Sequence, residues 1–105
     1  MKNISDMSIL ITGGGSGIGE GTASYFVKHG AKVTICGRNK DKLENVSKKL
    51  GNSCHAVKCD ITKNDERINL IEEAINHGQK LNALINNAGN MLRGPITDLN
   101  EDKLL

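Results

Sequence analysis

Glycine is concentrated in one short segment of the chain. Positions 12 to 19 read Thr-Gly-Gly-Gly-Ser-Gly-Ile-Gly, between an apolar run and an amphipathic segment. Glycine tolerates the positive φ that a sharp turn needs, and without a Cβ at Gly13 or Gly17 a phosphate can approach the backbone. The free N–H groups and positive dipole end of a helix that begins near Gly17 would attract the same anion. The segment therefore predicts a pyrophosphate cradle, with Gly19 allowing the helix to pack closely on the strand.

A glycine-rich turn by itself is a weak signal. An ordinary flexible turn has the same composition, and a methyltransferase that binds adenosylmethionine can use a similar loop. A phosphate loop of the ATPase kind is excluded, because no Gly-Lys-Ser/Thr follows the glycines. The strand-like run before the segment and the helix-like run after it favour a nucleotide site over an ordinary turn.

Two kinds of segment alternate along the chain around this loop. Apolar or β-branched runs predict strands at Met7–Thr12, Lys32–Cys36, Cys54–Cys59 and Leu81–Ile85. Segments with helical periodicity follow each of the first three strands. This alternation predicts an α/β fold, a doubly wound, Rossmann-like parallel sheet that is incomplete, with about four strands in the order 3-2-1-4 and helices on both faces. Residues 1–105 would form one partial dinucleotide-binding domain, with ligands at the carboxyl ends of the strands.

Local signals predict where the helices begin, end and pack. Asn39 is expected to cap the second helix, and Thr62-x-x-Asp65 has the form of a capping box for the third. Helix stops are expected at Gly30, Gly51 and Gly78. The repeating side chains on one face of each helix are Ile18, Thr22 and Phe26 in the first, Leu43, Val46 and Leu50 in the second, and Ile68, Ile71 and Ile75 in the third.

The bulk composition excludes several classes of protein. Fourteen basic and twelve acidic residues give a net charge of +2 with no like-charge block, so nothing indicates binding to nucleic acid or to an anionic membrane surface. No apolar run exceeds the length of Ile9–Ile11, which is far too short to span a bilayer. The first six residues are polar and do not resemble a signal peptide. We therefore expect a globular cytoplasmic protein with no nucleic-acid or membrane partner.

The cysteines do not predict a disulfide framework. Cys36, Cys54 and Cys59 form an odd set without paired spacing. A metal site built from Cys54, His55 and Cys59 is an alternative, but the adjacency of Cys54 and His55 suits an alternating strand better than a chelate. We expect buried, reduced cysteines, a solvent-facing His55 and no metal site.

Three motifs together resemble those of the short-chain dehydrogenase/reductase family. The family's Thr-Gly-x-x-x-Gly-x-Gly matches residues 12–19, its Asn-Asn-Ala-Gly matches residues 86–89, and its aspartate after the third strand is Asp60. The motifs occur in order, each at the carboxyl end of a predicted strand, and the resemblance covers the whole chain. It implies an NAD(P)-dependent oxidoreductase that reduces carbonyls or oxidises alcohols of small molecules and works as a homo-oligomer.

The resemblance also implies a cofactor site. Asp60 would accept a hydrogen bond from the adenine amino group, and the Asn-Asn-Ala-Gly segment would steady the sheet and line the cofactor. Asn amides can bridge groups of neighbouring loops, and small residues after them leave room for a ribose. As alternatives, Asp60 is a turn residue beside a helix, and Asn86-Asn87 is an ordinary turn. The residues predicted to bind the cofactor are Thr12, Gly13, Gly15, Ser16, Gly17, Ile18, Gly19, Gly37, Arg38, Asp60, Ile61, Asn87, Ala88 and Gly89.

The end of the second predicted strand departs from the pattern of an NAD site. Such a site usually has an acid there, about 20 residues beyond the glycine motif, that binds the ribose 2′-hydroxyl. This chain has Gly37 followed by Arg38. A guanidinium suits a 2′-phosphate, so the pattern favours NADP, with NAD as the alternative. The competing interpretation of Arg38 is a solvated surface residue.

The catalytic residues that the resemblance implies are absent from this sequence. Family members use a tyrosine as general acid/base, a lysine four residues after it, a serine and a helix asparagine. The only tyrosine here is Tyr25, inside the first predicted helix, where we interpret it as a packing residue. We therefore assign no catalytic residue and expect a truncated front part of an oxidoreductase that is inactive by itself. A non-catalytic nucleotide-binding or assembly module is the alternative.

Overall fold

A four-stranded parallel sheet is the centre of the computed structural model, which describes residues 3–15 and 17–87. The strands lie in the order β3-β2-β1-β4, with β1 at Ser8–Thr12, β2 at Lys32–Gly37, β3 at Cys54–Lys58 and β4 at Ala83–Asn86. The helices are α1 (Gly17–Lys28), α2 (Lys40–Leu50) and α3 (Asn64–Gly78), and a short 3₁₀ turn at Ile4–Asp6 precedes β1. Every strand pairing is parallel. The predicted Rossmann-like α/β class is confirmed, and so is the strand order.

The central strand β1 is buried on both faces. Its residues Ile9, Leu10 and Ile11 are each at most 1% exposed. Successive side chains of a strand point to opposite faces, so these three residues enter two separate cores. One core contains Ile9 and Ile11 with side chains from α1 and α2, and the other contains Leu10 with side chains from α3. Helices therefore cover both faces, which is what an uninterrupted apolar strand indicates.

The ends of α1 and α2 follow the sequence signals. The side chain of Asn39 accepts a hydrogen bond from the Lys42 N–H at 3.1 Å, which caps α2 as predicted. Gly51 follows α2 with a φ of 90°, and Gly30 follows α1 with a φ of 92°. Both conformations are ones that glycine adopts without steric cost. These two glycines therefore end their helices as expected.

Gly78 lies at the end of α3, but its role differs from that of a helix stop. It is the last helical residue, and the left-handed conformation falls on Gln79, with a φ of 68°. A Cβ at Gly78 would overlap the side chain of Ser8. Gly78 therefore permits close packing of α3 against β1, and Gln79 makes the turn.

The start of α3 contradicts the predicted capping box of Thr62 and Asp65. The N-cap residue is Lys63, whose side chain makes no capping hydrogen bond. The Thr62 hydroxyl instead donates to Asp60 Oδ1 at 2.6 Å. Because this bond directs the hydroxyl back along the chain, it is not available to the first turn of α3, and the capping-box prediction is wrong.

The apolar face predicted on α3 exists, but it is not the face that packs on the sheet. Ile68, Ile71 and Ile75 are 54%, 37% and 42% exposed, whereas Leu70 and Ala74 are buried. The side of α3 that faces the sheet therefore contains Leu70 and Ala74, four positions apart, and not the isoleucines. The exposed isoleucines are a second apolar face on the outside of α3.

The first helix shows a partial offset, because Phe26 of the predicted face packs against the core but Ile18 does not. Gly19 and Ala23 are its buried residues, whereas Ile18, from the predicted face, is 80% exposed. Small residues on the buried side allow α1 to approach β1 closely. Among the described helices, none is both long and apolar enough to cross a membrane.

Candidate functional site

The carboxyl ends of the four strands meet along one edge of the sheet. The register places Thr12 beside Cys36 on one side and beside Asn86 on the other, and it places Gly37 beside Lys58. The other described members of the predicted site follow these strand ends directly, and they are Gly13, Gly15, Gly17, Ile18, Gly19, Arg38, Asp60, Ile61 and Asn87. The predicted site residues that lie outside the described part of the chain are Ser16, Ala88 and Gly89.

The glycine loop is anchored to the end of β2. The N–H groups of Gly13 and Gly14 both donate to the Cys36 carbonyl oxygen, at 2.8 and 3.2 Å. Gly13 has a φ of 70° and Gly17 a φ of 61°, which side-chain-bearing residues rarely adopt. Glycine adopts these two conformations without strain, which explains the residue type at both positions.

Close packing requires glycine at two further positions. A Cβ at Gly19 would overlap the Gly13 carbonyl oxygen, so the close approach predicted for this residue is present. A Cβ at Gly14 would lie 2.5 Å from the Cβ of Ile35. The sequence interpretation missed Gly14, because its constraint comes from a neighbour on β2 rather than from the motif. At Gly17, by contrast, nothing lies within 4 Å of an added Cβ.

The amino end of α1 is suited to an anion. The first N–H groups of a helix have no intrahelical acceptor, and the dipole is positive at this end. Glu20 is the acidic residue in the first turn, and Lys49 of α2 donates to its carboxylate at 2.8 Å. Because Lys49 neutralises the Glu20 carboxylate, that carboxylate would repel a phosphate group less. The open space at Gly17 leaves room for the phosphate near the helix N–H groups.

A side-chain hydrogen bond joins the ends of β1 and β4. The Thr12 hydroxyl donates to Asn86 Oδ1 at 2.8 Å. An amide that bridges two strand ends was expected in this segment, although the partner is a hydroxyl rather than a backbone group. The next residue, Asn87, has a buried Nδ2 with no hydrogen-bond partner among residues 3–15 and 17–87. A buried donor of this kind is costly unless something accepts from it.

The Asp60 carboxylate is held in a fixed position after β3. Its Oδ1 accepts from the Thr62 hydroxyl at 2.6 Å and from the Thr62 N–H at 3.0 Å. These two bonds, with smaller contributions from the charges of Lys63 and Arg38, hold the pKa of Asp60 below its ordinary value. Asp60 is therefore an ionised hydrogen-bond acceptor at neutral pH.

Gly37 and Arg38 form the turn that leaves β2. The Gly37 carbonyl accepts from the Cys59 N–H at 2.8 Å, which fixes this turn beside Asp60. A Cβ at Gly37 would lie 3.6 Å from Leu43, an ordinary contact, and Arg38 is exposed. A permanent positive charge thus directly follows Gly37, the position at which an NAD site would have an acid.

Tyr25 lies away from this edge of the sheet. It is about 12 Å along α1 from Gly17, since each helical residue adds about 1.5 Å. Its ring contacts those of Phe26 and His29, with centroids 5.3 and 4.3 Å away, and is 52% exposed. Tyr25 is therefore a helix-surface residue, as the sequence indicates.

The three cysteines are free and buried, as predicted. Burial raises the pKa of Cys36 to about 12 and that of Cys54 to about 11. His55 differs from the prediction of a solvent-facing residue, because it is half-buried and its Nε2 lies 2.8 Å from Glu73 Oε1. Within residues 3–15 and 17–87, no group of three His, Cys, Asp or Glu side chains is arranged to hold a metal ion.

The sequence matches the short chain dehydrogenase family over residues 7–105. The chain therefore belongs to this family of oxidoreductases. It is 43% identical over 104 residues to an uncharacterised oxidoreductase of Staphylococcus aureus strain MRSA252, covering 98% of this chain and 45% of that protein. A relative in Staphylococcus saprophyticus, also an uncharacterised oxidoreductase, is 42% identical over 92 residues, which are 87% of this chain and 37% of the relative. The chain thus spans less than half the length of these curated relatives.

Solved structures of the family have the same fold. A 3-ketoacyl-(acyl-carrier-protein) reductase from Brucella melitensis, complexed with NADH, has a TM-score of 0.75 and 40% identity, covering 77% of this chain and 34% of that one. An apo glucose dehydrogenase from Caenorhabditis elegans has a TM-score of 0.78 and 30% identity, covering 94% of this chain and 44% of that one. Both comparisons agree with the parallel α/β fold described above.

Proposed function

We propose that this chain is the nicotinamide-cofactor-binding part of a short-chain oxidoreductase. The observation that carries the proposal is the loop between β1 and α1, with its two positive-φ glycines and its open backbone at Gly17. The loop connects the carboxyl end of β1 to the amino end of α1. This strand–loop–helix arrangement is the one that binds a pyrophosphate in dinucleotide-binding folds. The NADH bound to the similar Brucella reductase supports the same class of ligand.

The residues around the loop fit such a cofactor. Gly17 and the N–H groups after it would bind the pyrophosphate, and Asn87 would donate its unpaired Nδ2 to a ribose oxygen. Asp60 would accept from the adenine amino group. When bound, the nicotinamide ring supplies the hydride chemistry, and the described residues bind and orient the dinucleotide.

NADP is the proposed cofactor in preference to NAD. Gly37 leaves space at the end of β2, and Arg38 supplies a permanent positive charge beside it. This charge would attract a 2′-phosphate. The turn of Gly37 and Arg38 has no carboxylate of the kind that usually binds the ribose 2′-hydroxyl of NAD. The NADH in the Brucella reductase belongs to that protein and does not decide the preference here.

In the complete protein we propose reduction of a carbonyl or oxidation of an alcohol of a small molecule, carried out by a homo-oligomer. The family supports this assignment. None of the 105 residues is proposed as catalytic, because the sequence contains no Tyr-x-x-x-Lys. The present residues therefore supply cofactor affinity and selectivity.

The experiment that tests the proposal compares two glycine-to-alanine variants of the full-length natural protein. Gly17 and Gly51 both have positive φ, 61° and 90°, and both have open space around an added Cβ. Gly17→Ala places a methyl group in the proposed pyrophosphate site, so we expect NADPH affinity to fall about tenfold or more. Gly51→Ala also places a Cβ at a residue of positive φ, at the far end of α2, and should leave affinity unchanged. Equal affinity in both variants, measured by NADPH fluorescence, would reject the site.

A further inference from the structure

The turn after β3 is fixed from both sides by side chains of α3. Glu66 Oε1 accepts from the Asp60 N–H at 2.8 Å, and Arg67 Nη1 donates to the Ile61 carbonyl at 2.6 Å. The second guanidinium nitrogen of Arg67 bonds Asn64 Oδ1 at 3.1 Å, which holds the arginine itself in place. The protein therefore sets the conformation of this turn before any ligand arrives.

The two oxygens of the Asp60 carboxylate are used unequally. Thr62 gives Oδ1 both its hydroxyl and its N–H, at 2.6 and 3.0 Å. Oδ2 receives no hydrogen bond from residues 3–15 or 17–87. Two donors on one oxygen restrain rotation of the carboxylate, so Oδ2 is held as a free acceptor.

A free donor lies next to this acceptor. The Asp60 carbonyl accepts from the Lys63 N–H at 3.0 Å. In a trans peptide the carbonyl and the following N–H point in opposite directions, so the Ile61 N–H points away from the turn. It has no acceptor in the described part of the chain. The turn thus presents an acceptor at Asp60 Oδ2 and a donor at the Ile61 N–H.

This acceptor–donor pair matches one edge of adenine. The 6-amino group of adenine donates and its N1 accepts, whereas the 6-oxo group of hypoxanthine accepts and its N1–H donates. A carboxylate is an acceptor only, so it cannot adapt to the hypoxanthine pattern. The turn should therefore distinguish the two bases, provided that the carboxylate keeps its orientation.

We propose that Thr62 is the positioning residue for this recognition, because its hydroxyl orients the Asp60 carboxylate towards the base. The inference rests on the proposed function and deepens it. Thr62 does not cap α3 and its side chain is exposed, so neither helix capping nor core packing explains the hydroxyl. In the described part of the chain, the Thr62 hydroxyl makes a single hydrogen bond, which it donates to Asp60 Oδ1.

The test measures the dissociation constants of NADPH and of its hypoxanthine analogue on the full-length natural protein. We expect the unmodified protein to prefer NADPH by about tenfold or more, since the analogue leaves the fixed carboxylate facing another acceptor. Thr62→Val removes the hydroxyl and should reduce this ratio about three- to tenfold. Thr62→Ser retains the hydroxyl and should keep the ratio, which makes it the matched control.

Each result decides between distinct conclusions. If Thr62→Val weakens both dinucleotides equally and leaves the ratio unchanged, Thr62 only stabilises the turn and the inference is overturned. If the unmodified protein binds NADPH but does not distinguish the bases, the inference fails while the cofactor site stands. If it binds neither dinucleotide, the proposed function fails as well. Should Thr62→Val not fold, Thr62→Ala gives the same comparison with less steric change.

Discussion

Several polar atoms at the strand ends are held in place and yet have no protein partner in the described part of the chain. They include Asp60 Oδ2, the Ile61 N–H and the buried Asn87 Nδ2. On an ordinary polar surface such groups rotate and bond water. Here neighbouring hydrogen bonds have already ordered the turn of Asp60, so a ligand would meet a lower entropy cost on binding. At the scale of single residues, this is what distinguishes a candidate site from a loop.

Cofactor selectivity is predicted to depend on Arg38 and Gly37. A charge-assisted contact with a 2′-phosphate contributes roughly 1.5–3 kcal/mol, or about a ten- to hundredfold preference for NADP. Arg38→Ala should reduce this preference without abolishing it, because Lys40 and Lys42 are nearby in sequence. Gly37→Asp should shift the preference towards NAD by repelling the phosphate. Its Cβ would make only an ordinary 3.6 Å contact with Leu43, so the variant should fold.

The measurement is the dissociation constant of each cofactor on the full-length natural protein before and after each change. Lys28→Ala, at the far end of α1 from the glycine loop, is a control for the loss of one positive charge. The assignment is wrong if the unmodified protein binds both cofactors equally, or if Arg38→Ala leaves the ratio unchanged.

Burial of the cysteines predicts a loss of stability at alkaline pH. The pKa of Cys36 is raised from 9.0 to about 12 by burial, so the folded state keeps a proton that the unfolded state loses. The stabilisation is fully present below pH 9 and is lost as the pH rises towards 12, by at most about 1.4 kcal/mol per pH unit for one thiol. Urea unfolding at pH 8 to 10 should show a shallower pH dependence for Cys36→Ala. Parallel curves for the two proteins would contradict this.

At the scale of secondary structure, hydrophobic periodicity locates the elements better than it locates their buried faces. The apolar run of β1 predicts its burial on both sides, because a parallel strand covered on both faces has apolar residues at successive positions. In α3 the isoleucines form the more apolar stripe, yet Leu70 and Ala74 face the sheet. The sequence of one helix shows which residues share a face, but the position of its neighbours decides which face is covered.

The site shows a similar division between motif and context. The motif predicts the glycines at the turn, because positive φ is a local requirement. It does not predict Gly14, whose constraint comes from Ile35 on β2, nor the bond of Thr62 to Asp60. The Thr62 hydroxyl can either bond Asp60 or cap α3, and the spacing of residues in the sequence does not show which bond forms.

The outer surface of α3 and the edge strand β4 predict that the 105-residue chain self-associates. Ile71 of α3 and Leu84 of β4 are 37% and 42% exposed and line one groove. The run from Leu81 to Ile85 carries no charge, and β4 pairs on only one side among the described strands. An apolar edge of this kind associates with other copies.

The measurement is light scattering over a range of concentrations, with Leu84→Lys on the edge strand as the variant. We expect the unmodified chain to associate and Leu84→Lys to reduce association. Ile18→Lys changes an 80% exposed isoleucine on α1, across the sheet from α3, and is the control for added charge alone. A stable monomer at high concentration would count against the prediction.

At the scale of the whole molecule, we propose that these residues form a cofactor-binding unit, and their sequence contains no Tyr-x-x-x-Lys. The chain covers 45% of the length of its Staphylococcus aureus relative. The proposed dinucleotide site would lie at the strand ends, where the described residues place the glycine loop, Arg38 and Asp60. Chemistry on a substrate requires a general acid or base, and Tyr25 is too far along α1 to serve the site.

The 105-residue chain is therefore predicted to have no dehydrogenase activity. Purified chain would be mixed with NADPH and a panel of ketones and aldehydes, and NADPH oxidation would be followed by the loss of its absorbance. We expect no turnover above the background of buffer alone. The full-length natural protein is the positive control. Turnover that persists after rigorous removal of host enzymes would disprove the prediction.

The bond between the Thr12 hydroxyl and Asn86 has a consequence for the order in which the chain acquires its structure. It joins residues 74 positions apart, whereas the pairing of β1 with β2 joins residues 24 apart, as in Ser8 with Lys32. Closing the longer loop costs more entropy, so β4 should dock after the β1–α1–β2 unit has formed. During synthesis the glycine loop would then exist before the fourth strand end that completes its pocket. A nascent chain that is released before residue 86 would contain the glycine loop, Arg38 and Asp60 without the end of the fourth strand, and tight dinucleotide binding would report that the sheet has been assembled.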